Sequence, residues 1–517
     1  MQAVLDRDLA PALRPSGLLD PANGMGVTIG VLTQGERRVF TYGAAKPDSI
    51  FEIASISKTF TATVLAQMVE QGRVRLDEPV RELLPPGTVE KPEGREITLI
   101  DLATHHSGLP RTAGNIRPDG NANADYTPAD LFAYIGRHGV RKPPDASFSY
   151  SNLGFALLGQ ALANRAGMSY ADLVKQVVTG PLGLRDTAVT LDAERQARLI
   201  TGHRLGGDAV EPWVLDAQAP AGGIYSTAGD LLLYLDAQLH PERLAELGAA
   251  IRETHVLRAD IGGMDVASES GVRLGMAWMH GARHGIYFHG GNARGETSLA
   301  FFSPAGDYAG VVLVNMTASP MEVVETLGQH LRRRLAGEAP LSFAQVVVPA
   351  GGGLGGWLRS LAAYWLTMLA SGAFLFCCVL ALQGLAAQLL PRRMFLRMSS
   401  FLQMGAFCLF VCGYFLQPLF ATPDTLTAAT NGGVLVWSPS YWFLGLFQAL
   451  NGSPALAPLA RRAMIALPVA IGSAAISYLL CYVRTLRKIV EEPDILPGAR
   501  GVRWLPAFGN RFDTAVA

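Results

Sequence analysis

Three stretches in the last third of the chain carry no charge over a length that can cross a bilayer: Ser360 to Pro391, Met398 to Pro423 and Ala463 to Val483. A spanning helix takes about 20 apolar residues, so this chain cannot fold around one water-facing core. It has to divide into a globular part and a membrane part. Between the last two runs lies Val434–Leu450, with Trp437, Pro439, Tyr441 and Trp442. Trp and Tyr favour the headgroup level, so an interfacial segment is expected there. Three spans are the expectation and four the alternative count. Arg392, Arg393 and Arg397 follow the first run, and Arg484, Arg487 and Lys488 follow the last. Three spans put both clusters on one side, the cytoplasmic one by the positive-inside rule. The N-terminal domain is then outside and the tail inside. Met1 to Asn23 lacks the apolar core of a signal peptide, so that stretch supplies no route of export.

Composition narrows the function classes. The 517 residues hold 43 Lys+Arg against 43 Asp+Glu, which offers no basic surplus for nucleic acid. Charged residues make up 17%, below the roughly 25% of soluble domains. Mean hydropathy is +0.23. All five cysteines (Cys377, Cys378, Cys408, Cys412 and Cys481) lie after Gly351. The globular part therefore has no disulfide framework, cysteine nucleophile or thiolate zinc site. No His-Glu-x-x-His occurs, so zinc hydrolysis has no support, and neither a metal nor a cofactor is expected.

The expected organisation is a globular domain over 1–345, a Gly-rich linker over 346–358 that includes Gly351–Gly356, a membrane region over 359–483 and a cytoplasmic tail over 484–517. Within the first, Val27–Gly43 alternates as a hairpin about Gln34-Gly35-Glu36. Ser55 to Gln71 reads as a helix with an apolar stripe of Phe60, Val64 and Met68, stopped at Gly72. Further helices are expected at Thr127–Gly136, Leu153–Ala166, Tyr170–Val178, Thr227–Leu239 and Met321–Leu335. A strand over His284–Phe288 and a second hairpin, Thr297–Ser303 with Tyr308–Asn315, complete the pattern. Strands at both ends with helices between them predict an α+β fold: an antiparallel sheet flanked by helices, with a helical insertion.

Three short elements can carry chemistry. Ser55 and Lys58 stand three apart at a helix start, on one face. There a serine gains from the helix dipole, and an amine of lowered pKa can take its proton. Alone, the pair is a weak signal and also reads as a capping serine with a surface lysine. Tyr150-Ser151-Asn152 offers a phenol and an amide, or a buried tyrosine and a helix cap. His289-Gly290-Gly291-Asn292 offers a strand edge open to a substrate backbone, or a turn with an incidental histidine.

Together and in this order the three elements resemble the serine beta-lactamase-like superfamily, for which Ser-x-x-Lys is a signature. More narrowly the sequence looks like class C beta-lactamases, the related DD-peptidases and the esterases of that fold. Asp101-Leu-Ala-Thr-His-His-Ser-Gly-Leu-Pro110 and Ala219-Pro-Ala-Gly-Gly-Ile-Tyr-Ser-Thr-Ala228 look like the segments that flank the family's active site. The resemblance runs from about Gly26 to Arg334 and omits the membrane part. It implies Ser55 as acylated nucleophile, Lys58 as its base and Tyr150 as proton relay. It implies that Asn152, with the strand His289, Gly290, Gly291 and Asn292, binds substrate, and that the Ser55 and Asn292 N–H groups form the oxyanion hole. His289 stands where beta-lactamases of this class carry lysine, which turns the expectation toward D-amino-acid peptides or small esters. Arg294 is a further candidate for a substrate carboxylate, and His105, His106 and His203 read as structural. The expectation is a multi-pass, membrane-anchored serine hydrolase with a small-molecule or peptide substrate. The alternative is a beta-lactam or muropeptide sensor that stays acylated.

Overall fold

In the computed structural model, residues 1–10, 24–116, 125–143, 146–204, 208–261, 271–317, 322–338, 354–389, 439–451 and 457–491 are described. Gln34 and Gly35 both adopt positive φ, the backbone a two-residue hairpin turn requires, and they join β1 (Gly26–Thr33) to β2 (Glu36–Gly43). Later strands are β3 (Ala259–Asp260), β4 (Val272–Leu274), β5 (Met279–Gly281), β6 (Ile286–Asn292), β7 (Thr297–Ser303) and β8 (Tyr308–Val314). They form one antiparallel eight-stranded sheet in the order β2-β1-β8-β7-β6-β5-β4-β3. The first hairpin thus docks on the last strand, with Val27 opposite Val314.

Both faces of this sheet are covered, which is why β8 is apolar at nearly every position rather than alternating. Val311 and Leu313 join the core on the helical side, whereas Val312 and Val314 join a second core. That second core receives Leu5 and Leu9 of α1 (Gln2–Leu9) and Leu327 and Leu331 of α5 (Glu322–Leu335). The helical side holds α2 (Ser57–Glu70), α3 (Asn152–Ala166) and α4 (Ala228–Leu239).

Helix α2 departs from its sequence pattern. It is buried all round from Ser57 to Met68, not only along the Phe60–Val64–Met68 stripe. Thr59, Thr61 and Thr63 go inside because their hydroxyls donate to the carbonyls of Ile56 (2.8 Å), Pro220 (2.7 Å) and Thr59 (2.9 Å). A satisfied hydroxyl loses most of its burial cost. The segment expected as Tyr170–Val178 is α-helical over Tyr170–Val174 and continues as a π-turn over Lys175–Thr179.

The chain divides into two compact units, one holding Met1–Ala362 and the other most of the apolar chain beyond it. Helix α6 is Leu354–Leu389, so it begins inside the stretch expected as linker. Helix α7 is Pro439–Leu450 and α8 is Ala457–Glu491. Leu358–Leu389 and Ala457–Arg484 are long and apolar enough to cross a membrane. The run Met398 to Pro423, the cluster Arg392–Arg397 and the tail beyond residue 491 lie outside the described residues. Within the second unit, α6 and α8 touch through small residues. The Ser477 hydroxyl donates to Ala381 O (3.4 Å), Cys481 lies 3.7 Å from Gly384 O, and Arg484 donates to Gln388 O (2.9 Å). These contacts climb both helices together, so the two run parallel.

Candidate active site

The site is built where the chain enters the buried helix α2. Ser55 lies in a 3-10 turn, Ala54–Ile56, one step ahead of α2. Ala54 has φ +49°, a left-handed conformation that costs a non-glycine residue about 1 kcal/mol or more. Packing on both sides holds it there. The Ser57 hydroxyl accepts from Ile224 N (3.0 Å), and the Ser298 hydroxyl donates to Ile53 O (2.8 Å).

Lys58 is fully buried, and its Nζ has three partners: Ser55 Oγ at 3.0 Å, Asn152 Oδ1 at 2.8 Å and Ala221 O at 2.6 Å. Ala221 is brought close because Gly159 in α3 leaves room for Pro220, whose ring atoms would sit 2.2 Å from an added Cβ. Burial, and then the charge of Arg111, lowers the Lys58 pKa well below the lysine range. A neutral amine has two hydrogens and one lone pair. The amide and carbonyl oxygens can only accept, so they take the hydrogens. The lone pair is left facing the one partner that can donate, the Ser55 hydroxyl.

Tyr150 brings its hydroxyl to Ser55, while burial pushes the phenol up to about 12. It is therefore protonated at neutral pH and is poised as a donor. Lys58 Nζ lies 4.9 Å and the Arg111 guanidinium 5.1 Å from the ring centroid. Asn152 opens α3 behind the cap Ser151, whose hydroxyl accepts from Gly154 N (2.9 Å). With Oδ1 on Lys58, the Asn152 Nδ2 hydrogens remain to be offered elsewhere.

His289-Gly290-Gly291-Asn292 does not form a turn. Strand β6 continues through it to Asn292, with His289 opposite Ala300 in β7. The glycines serve close approach instead. A Cβ on Gly291 would lie 2.4 Å from Ile53 O and 2.9 Å from Ala54 Cβ, so only glycine lets β6 lie against the Ser55 turn. The His289 ring is buried, with Nδ1 2.8 Å from Gly290 O. Burial, and then Lys58, lowers its pKa to about 3, so it is uncharged. The turn, α3 and β6 thus gather Ser55, Lys58, Tyr150, Asn152 and the 289–292 strand.

Sequence reasoning assigned no role in the site to four groups. His105, read as structural, grips both neighbours of Tyr150: its carbonyl accepts from Ser149 N (2.8 Å) and its Nδ1 from Ser151 N (3.0 Å). Its ring packs 4.4 Å from the Tyr150 ring, and burial holds it neutral. Arg111 follows directly on the quoted stretch ending at Pro110. Glu52 and Glu296, far apart in sequence, meet behind the nucleophile turn, where Glu52 N donates to a Glu296 carboxylate oxygen at 2.5 Å. Burial pushes the Glu52 carboxyl up to about 8, and burial with the nearby Glu52 pushes Glu296 well above the carboxylate range.

The acid pair makes a stability prediction. Raised folded-state values mean that the folded chain keeps protons the unfolded chain releases above about pH 4.5. Stability from the pair is present below that pH and is lost as pH rises, through about 8 for Glu52. Glu296→Gln keeps the acceptor for Glu52 N and removes one ionisable group. Its melting temperature is expected to fall less than the parent's between pH 5 and pH 8, by roughly 2–5 °C. Parallel losses would contradict the buried-acid account.

Known proteins share this fold. Residues 18–332 match the family model described as Beta-lactamase. The D-alanyl-D-alanine-carboxypeptidase/endopeptidase AmpH of Escherichia coli (strain K12) is 31% identical over 355 residues, covering 64% of this chain and 88% of the relative. Penicillin-binding protein 4 of Amycolatopsis lactamdurans is 29% identical over 288 residues, covering 53% and 74%. Among solved structures, a beta-lactamase/D-alanine carboxypeptidase from Yersinia pestis has 27% identity and a TM-score of 0.56, covering 65% of this chain and 98% of that one. A class C beta lactamase from Rhodobacter sphaeroides has 25% identity and a TM-score of 0.51, covering 62% and 95%.

Proposed function

Because the chain belongs to the beta-lactamase family, we propose that this Ser-x-x-Lys serine hydrolase is membrane-anchored and forms an acyl-enzyme on Ser55. Its substrates in this reading are peptides ending in D-alanine, with small esters as surrogates. The observation that carries the acyl-enzyme reading is the placement of Lys58 Nζ between two obligate acceptors and the Ser55 hydroxyl. Ser55 Oγ attacks the carbonyl carbon and its proton passes to Lys58. The oxyanion falls to the N–H groups of Ser55 and Asn292, each donor worth on the order of 3–4 kcal/mol. Asn152 Nδ2 holds the acyl-side carbonyl. Tyr150 gives its proton to the departing amine or alcohol and is reprotonated through Lys58. Water then enters by the reverse path: the Lys58–Tyr150 pair takes its proton and returns it to Ser55 Oγ as the acyl group leaves.

A histidine where class C beta-lactamases carry lysine supports peptide or ester over antibiotic hydrolysis; buried and uncharged, His289 holds any substrate carboxylate less firmly than a lysine would. Release of D-alanine from an acyl-D-Ala-D-Ala peptide tests the substrate. The purified full chain in detergent is expected to release it steadily. Turnover of esters with none of the peptide would overturn the peptidase reading.

For the membrane part, parallel α6 and α8 support one further crossing between them, hence three spans. Two parallel spans need an odd number of crossings in between. Helix α7, at 12 residues, is about 18 Å long, short of the roughly 30 Å hydrocarbon core. Three spans place the hydrolase domain and the C-terminus on opposite sides. A C-terminal reporter is therefore expected to be active only in the cytoplasm. A reporter active only outside would contradict this topology.

A further inference from the structure

Burial disfavours charge at the reacting centre: it lowers the pKa values of Lys58, His105 and His289. Arg111 is different. Its side chain is exposed and stands over the Tyr150 ring, 5.1 Å from the centroid, and it makes no ion pair among the described residues. Its charge reaches Lys58, His105 and Tyr150, lowering each. Arg294, the cation the sequence offered for a substrate carboxylate, is not among the charges acting on those three groups or on His289. The Arg111 backbone is also fixed to the binding side of the site. Its carbonyl accepts from Asn152 N (2.9 Å) and Leu153 N (3.1 Å), the first residues of α3.

We propose that Arg111 is a specificity-determining residue that binds a carboxylate carried on the acyl portion of the substrate. The inference rests on the acyl-enzyme reading above, in which Asn152 holds the acyl side. The guanidinium is a planar five-donor fork suited to a carboxylate. Standing over the Tyr150 ring on a backbone bonded to Asn152, and without an ion pair among the described residues, it selects acyl groups with a negative charge a few bonds from the reacting carbonyl. Peptides whose acyl residue bears a free side-chain or α-carboxylate fit that description.

Two esters with one leaving group test it: para-nitrophenyl butyrate and the mono-para-nitrophenyl ester of glutaric acid, which differ only by the terminal carboxylate. The quantity read is the ratio of kcat/KM values, glutarate over butyrate, for the full chain in detergent. The ratio cancels any change at Lys58 or Tyr150, because both esters share those groups. In Arg111→Gln the ratio is expected to fall roughly 10–100-fold, the scale of one charge-assisted contact, mainly through KM. Arg111→Lys, which keeps the charge and loses the fork, should recover part of it. Added salt should lower the ratio in the parent and leave it flat in Arg111→Gln. An unchanged ratio in Arg111→Gln, or one that falls instead in Arg294→Gln, overturns the proposal. Loss of butyrate turnover in Ser55→Ala tests the hydrolase reading on its own, so the two fail separately.

Discussion

Ser55→Ala is expected to abolish acyl transfer, with kcat falling roughly 10^5–10^6-fold, the scale seen when a hydrolase nucleophile is removed. The fold should survive the change. Ser55 is only partly buried and its hydroxyl holds no backbone group among the described residues, whereas Ser57 and Ser298 clamp the turn. The variant should keep its melting temperature within about 1–2 °C. Normal ester turnover by Ser55→Ala would remove Ser55 from the mechanism and with it the proposed acyl-enzyme.

The second large effect is at Lys58. Lys58→Met keeps the length of the side chain but supplies no lone pair for the serine proton, so kcat/KM should fall roughly 10^3–10^4-fold. Lys58→Arg should fall as far, because a guanidinium does not deprotonate in proteins. Charge and size are thus separated from basicity. The parent enzyme gives the complementary test. Burial lowers the Lys58 pKa, so the amine is deprotonated at pH values where an ordinary lysine is charged. The rate should fall as pH drops through the Lys58 value and should already be flat well below pH 10.5, the ordinary lysine value. A profile still climbing at pH 10 would mean that Lys58 is an ordinary lysine and another group is the base.

What the sequence made legible and what it hid follow different physical rules. Local periodicity is visible in one dimension, and it found both hairpins and the helix that starts at Ser57. Spacing found Ser55 with Lys58, because three residues along a helix is a fixed geometry. The burial of α2 on every side was not visible, since it depends on carbonyls at Pro220 and on back-bonds that threonine types do not announce. Gly290-Gly291 reads either as a strand edge open to close approach or as a turn, because glycine is permissive. In the fold it stays extended so that β6 can press on Ile53 and Ala54. His105 carried no sign of its grip on Ser149 and Ser151, although its segment had been linked to the active site. Glu52 and Glu296 stand 244 positions apart, and only the fold makes them neighbours.

The apolar third of the chain illustrates the same limit. Hydropathy located α6 and α8, and only the basic residues that follow the two runs carried information on their relative direction. Three side-chain contacts, at Ser477, Cys481 and Arg484, advance in step with Ala381, Gly384 and Gln388 and give that direction independently. Small residues at that seam let the helices approach closely: a Cβ on Gly384 would lie 2.5 Å from Ser477 Cβ.

The most direct measurement of the central claim is intact mass of the full-length protein over time with a penicillin, followed by peptide mapping. A single adduct is expected, on the peptide containing Ser55, absent from Ser55→Ala and decaying as the acyl group is hydrolysed. An adduct mapped to any other residue, or one that forms equally in Ser55→Ala, would contradict the assignment of Ser55 as the acylated nucleophile.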